Sequence, residues 1–239
     1  NGTYLTVLAG NYTGILSGTG NLTKDGSGTL TLAGANTWSG ASTTVNYGTL
    51  NAVAGALMGM PGINVNHDST LNVVDLNSGA YLNINQSVGT ANISGTGLSL
   101  SAMYNVGALN FTGNTGRITL ASLTGTGTTT FSSDATVTGG ISVGTVNVTG
   151  DLNAAISGGT VSANTLTAAS ITGGTTTTTS DANITTLNGG TVTVNGVATI
   201  GTLTSGTANL NGATATVTTL NGGNVALGNT NLTVANGTS

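Results

Sequence analysis

The chain has 239 residues and only eight charges, Lys24, Arg117 and six aspartates, for a net charge of −4. Two basic residues cannot supply the cationic footprint of nucleic-acid binding, and with no cysteine there are no disulfides or thiolate metal sites. Disordered chains combine low hydrophobicity with high charge; here hydrophobic residues reach 37% and recur periodically.

Taken in order, the chain opens on Tyr4-Leu-Thr-Val, an alternating strand pattern. Leu30, Leu32 and Leu50 alternate or recur as core positions, and Gly26, Gly28, Gly34 and Gly40 mark turns. Lys24 and Asp25 are expected at a turn, as a solvated pair of little energetic weight. Trp38 is expected to cover the edge of the core rather than to stack on a sugar. Ala52 to Met60 suits one short helical turn, closed by Pro61, the sole proline. Elsewhere Thr, Val, Asn and Gly dominate, and these form helices poorly. No apolar run of about eighteen residues occurs, so no membrane helix is expected. The N-terminus lacks the basic and apolar regions of a signal peptide. All eight aromatic residues lie at or before Phe131. The chain starts and stops mid-pattern, as expected of a segment cut from a longer protein.

The last third carries a beat of about sixteen residues. Ile156, Ile171, Leu187, Leu203 and Leu220 lie 15, 16, 16 and 17 positions apart, each followed by a Gly-containing turn such as Ser-Gly-Gly or Asn-Gly-Gly. Five positions after each comes Val161, Thr176, Val192, Ala208 or Val225; seven positions after comes Ala163, Thr178, Val194, Leu210 or Leu227. Ile184, Ile200 and Val217 precede the next marker by three. Positions five and seven share one face of a strand, because side chains alternate. Hairpins of a β-sandwich would also place Asn-Gly between short strands, but a sandwich does not require like residues in register at a fixed period. Coils stacked on coils do. The fold class predicted is therefore all-β, a right-handed parallel β-helix (β-solenoid) of about 16–20 residues per coil, handed by strand twist. About 12–15 coils at roughly 4.8 Å each give a rod of about 55–70 Å. One coil breaks the pattern: Thr175 to Thr179 put Thr176 and Thr178 where neighbours carry Val or Ala. Buried hydroxyls need partners, which leaves a short hydroxyl ladder or a local bulge.

The first eighty residues carry a longer motif. It reads Leu22-Thr-Lys24, Gly28-Thr-Leu-Thr-Leu32, Asn36-Thr-Trp38-Ser-Gly40, then Gly48-Thr-Leu50. This resembles the autotransporter-associated β-strand repeat, also called the passenger-associated transport repeat, over residues of about 10–80. The resemblance implies a large surface protein of a Gram-negative bacterium, a right-handed β-helical passenger exported through a C-terminal outer-membrane barrel, and a location that is extracellular or on the outer-membrane surface. It transfers no catalytic residue. The whole of 1–239 is expected to be one continuous solenoid, with autotransporter-type coils over 1–80 and shorter Thr/Gly-rich coils over 81–239, the changeover falling between 80 and 120.

No catalytic, cofactor-binding or metal-binding residue is assigned, and no cofactor is expected. Glycoside hydrolysis needs two carboxylates at close range. The candidates are Asp68, Asp75, Asp134, Asp151 and Asp181, of which Asp68 and Asp75 are closest in sequence and could sit on neighbouring strands; isolated turn-capping aspartates are the simpler reading. His67 is the sole histidine, so a histidine metal cluster is excluded by count, and its neighbour Asp68 cannot orient it as in a triad. Calcium-binding Gly-Gly-x-Gly-x-Asp strings, Walker loops and dinucleotide motifs are absent. The expected function is that of a non-catalytic structural or adhesive rod, in contact with a cell surface or associating with itself end to end or laterally. The alternative is a glycan- or ice-binding module using Thr29-Leu-Thr31, Thr191-Val-Thr193 and Thr202-Leu-Thr204, although these strings look irregularly placed along the chain.

Overall fold

The computed structural model describes residues 4–40, 42–53, 55–57, 59–76 and 78–237. Among these residues there are strands and turns but no helix. The strands stack as a parallel β-solenoid of about 13 turns averaging about 17 residues per coil. Each strand bonds to the equivalent strand one coil away, and twenty-three strands join in one continuous parallel network.

Inward-facing side chains form columns along the axis. One column runs Leu22, Thr43, Ile63, Leu82, Met103, Leu123, Ile141, Ile156, Ile171, Leu187, Leu203 and Leu220. Its last five members are the markers expected from the sequence, and the positions five and seven residues on form two further columns. Each fully buried Leu, Ile or Val contributes about 1.5–3 kcal/mol, and the column repeats that gain at most of its levels, Thr43 being its one polar member.

The first column also measures the coils. Its members lie nineteen to twenty-one residues apart as far as Leu123, eighteen on to Ile141, and fifteen to seventeen thereafter. On the neighbouring positions the spacing falls from twenty (Leu100 to Leu120) to seventeen (Leu120 to Val137), so the shortening sets in between Leu120 and Ile141, from the end of the 80–120 interval expected. The short coils turn inside their strands: Asp151–Ala163 and Ala182–Val194 run through glycine pairs in which Gly159 and Gly190 take φ of 76° and 70°. Such values favour glycine. Nothing in Thr- and Gly-rich sequence upstream distinguishes a corner loop from a turn within a strand, so the boundary was not legible.

At the Thr run, neither alternative holds. Thr175–Thr178 pairs in plain register with the coils on both sides, without a bulge. Thr176 and Thr178 are fully buried; Thr178 Oγ1 donates to the Ser180 carbonyl at 2.9 Å, while Thr176 Oγ1 has no partner. The two hydroxyls thus form no ladder. Over Ala52 to Met60, Ala56 N–H donates to the Val53 carbonyl and Met60 N–H to that of Leu57, making two turns and no helix; Ala54 and Met58 of that stretch lie outside the described residues.

Candidate functional site: a carboxylate corner and an uncharged side

Lys24 is not the solvated residue expected. The strand Asn21–Lys24 alternates, so Lys24 shares the inward face of Leu22 and is completely buried. Its register partners Val7 and Val45 are apolar. The ammonium donates to the carbonyls of Asp25 (2.9 Å), Gly26 (2.7 Å) and Tyr47 (2.9 Å). An ammonium has three protons, and each has an acceptor. Desolvation holds its pKa below 10.5, opposed by the charge of Asp25. The adjacent Lys-Asp pair suggested a solvated turn; the two-residue offset from Leu22 was the signal that decided otherwise.

Trp38 lies in the core, 5% exposed, and its indole Nε1–H donates to the Gly20 carbonyl one coil away. Asn36 ties three coils together: its Oδ1 accepts from Leu16 N–H at 2.7 Å and its Nδ2 donates to the Ala56 carbonyl at 2.8 Å. The motif residues of the first coils thus act as fasteners between levels.

Asp68 and Asp75 do not come together. They flank one strand, Ser69–Val74, which separates them by roughly 20 Å at the usual rise per residue. Asp68 is exposed, as is its neighbour His67, whose ring stacks on that of Tyr47 at 4.6 Å. Asp75 accepts from Thr96 N–H at 3.3 Å.

The pair that the fold does juxtapose is Asp134 and Asp151, on successive coils at one corner. Asp134 Oδ1 accepts the Asp151 N–H at 3.0 Å, and its Oδ2 accepts from Arg117 Nη2 at 3.2 Å. Asp151 Oδ1 accepts from Thr165 Oγ1 at 2.6 Å, and further along Asp181 Oδ1 accepts the Val197 N–H at 2.8 Å. The Arg117–Asp134 ion pair is about two-fifths exposed on both sides, so its contribution is about 0–1 kcal/mol. Their separation of seventeen residues, one coil, was the sequence signal for this pair. Among the described residues, no three His, Cys, Asp or Glu side chains gather as a metal site. These carboxylates cap corners.

The remaining feature is one outer side of the rod. Thr29, Thr49, Thr70 and Thr90, then Ala108, then Thr128, Thr145, Thr160, Thr175, Thr191 and Thr207 stand in a single file. Two residues on, a second file holds Thr31, Asn51, Asn72, Asn92 and Asn110, and continues to Thr193 and Asn209. In it Asn72 donates to Asn51 and Asn92 to Asn72, both at 2.8 Å, and Asn110 to Asn92 at 2.9 Å. Two of the three strings that looked irregular, Thr29-Leu-Thr31 and Thr191-Val-Thr193, therefore belong to one array. Variable coil length hid the alignment. Thr202-Leu-Thr204 lies on a different side, flanking Leu203 of the first column.

A family model described as passenger-associated transport repeat matches residues 22–52. No curated protein and no solved structure matches the chain. The matched stretch contains Lys24, Asn36, Trp38 and the acceptor Tyr47, the residues that fasten one coil to the next. The chain is thus a parallel β-solenoid that carries a passenger-associated transport repeat in its first coils.

Proposed function

We propose that the chain is a non-catalytic structural and adhesive rod, displayed at the outer surface of a Gram-negative bacterium or released from it. The observation that carries this reading is the passenger-associated repeat at residues 22–52, set into inner columns that continue without interruption to Leu220. Such a stack transmits length and stiffness, and its residues serve mainly to hold neighbouring levels together. The aspartates support the non-catalytic part of the reading, because five of the six spend a carboxylate oxygen on a hydrogen bond at a turn or corner. With eight charges in all, little electrostatic repulsion opposes contact between copies, so end-to-end or lateral self-association belongs to the proposal.

The test is antibody labelling of intact bacteria that express the protein. Labelling without permeabilisation is the expected result. Signal that appears only after the envelope is opened overturns the surface assignment.

A further inference from the structure

We propose that the threonine–asparagine side of the rod binds ice. Its register is unbroken from Thr29 to Thr207; the pairing irregularities of the long strands lie on the other sides and at the corner that leads into the file, as between Val137 and Ile141 or Asn188 and Thr191. Successive levels are about 4.8 Å apart and the two files about 7 Å apart, over a length of roughly 50 Å. The result is a two-dimensional lattice of polar groups. Among the described residues, no hydroxyl of the threonine file makes a hydrogen bond within the chain. Each is left to meet an external partner.

β-Branched threonine is stiff about χ1, and the laddered amides of Asn51, Asn72 and Asn92 hold one another. The lattice is therefore ordered before any ligand arrives, which lowers the entropy cost of binding. Charge selects the partner class. Neither file contains a charged residue: Arg117, Asp134, Asp151 and Asp181 sit at a different corner, Lys24 is inside, and Asp68 is at the edge, two residues before Thr70. A neutral, periodic face matches a neutral, periodic solid. Neither file contains an aromatic residue on which a sugar could stack, the Tyr47–His67 pair lying beyond the edge of the files, and this favours a lattice of water over a polysaccharide. The inference is independent of the surface-rod reading, since a rod indifferent to ice leaves that reading intact.

The experiment measures adsorption of the purified chain to a growing ice surface, together with its thermal hysteresis. Thr160→Lys and Thr175→Lys place a charge mid-file; Thr199→Lys places the same charge on an exposed strand position of another side. Circular dichroism confirms that each variant keeps its β-structure. The expected result is adsorption of the wild type, its loss by an order of magnitude or more in both file variants, and its retention in Thr199→Lys. Exclusion of the wild type from ice overturns the proposal, as does equal loss in Thr199→Lys. A wild-type dimer that Thr160→Lys dissociates, without ice adsorption, reassigns the side to a second copy of the chain.

Discussion

The ammonium of Lys24 donates to the carbonyl of Tyr47 at 2.9 Å, joining a buried strand to the corner of the next coil. Together with the Asp25 and Gly26 carbonyls, this makes the cation a clasp between two levels. Lys24→Met keeps much of the side chain's volume but leaves three carbonyls without their donor. Leaving buried acceptors without their donor costs about 1–3 kcal/mol. A fall of that size in urea unfolding free energy is expected; a loss within experimental error would mean that water replaces the ammonium.

The same residue has a pH signature. Burial lowers its pKa beneath 10.5, so between the folded value and 10.5 the unfolded chain holds the proton more tightly than the native one. Where the unfolded state binds more protons, stability rises with pH. The charged form thus carries a desolvation cost below the folded pKa, relieved as pH climbs towards 10.5. The wild type should gain stability relative to Lys24→Met across that window. Paired denaturation curves at rising pH check it, and a narrowing advantage for the wild type would reverse the sign.

Thr176 and Thr178 offer a matched comparison. Both are fully buried, but only Thr178 has a hydrogen-bond partner. Thr176 stands between Val161 and Val192 in its column. An unsatisfied buried polar group costs about 1–3 kcal/mol, so Thr176→Val should stabilise the chain by about 1 kcal/mol or more. Thr178→Val removes a made bond and should be neutral or destabilising. Equal effects from the two substitutions would remove the distinction.

Gly40 lies where a side chain has no room. A Cβ there would collide with the Gly20 carbonyl and with the indole nitrogen of Trp38. Gly40→Ala should displace the ring that bonds Gly20 and expose it. Trp38 is the sole tryptophan, so its emission reports directly: a red shift with lowered stability is expected, and an unchanged spectrum would show that the coil absorbs the methyl group.

The columns from Ile156 onward were legible because their period is nearly constant and their apolar members repeat. The outer files were not, although they are equally regular in space: Thr70 and Thr90 are twenty residues apart, Thr160 and Thr175 fifteen. Register is a property of levels rather than of sequence distance, and corner loops absorb the difference. For Lys24 the charge and the neighbouring Asp25 point to solvent, whereas its place two residues after Leu22 puts it on the inward face. Of the five candidate aspartates, Asp68 and Asp75 are closest in sequence but Asp134 and Asp151 are the pair brought together, because nearness along the chain is a poor guide in a solenoid. There, residues one coil apart touch and residues at opposite ends of a strand do not.

The central claim is one continuous stack in this register. With no native cysteine, pairs of spin labels can be placed on the threonine file at Thr70→Cys combined in turn with Thr145→Cys, Thr175→Cys and Thr207→Cys. These positions are four, six and eight levels from Thr70. Pulsed electron–electron resonance should give label separations near about 19, 29 and 38 Å, rising by about 4.8 Å per level. Separations that level off, or that fail to increase in this order, would contradict the stack.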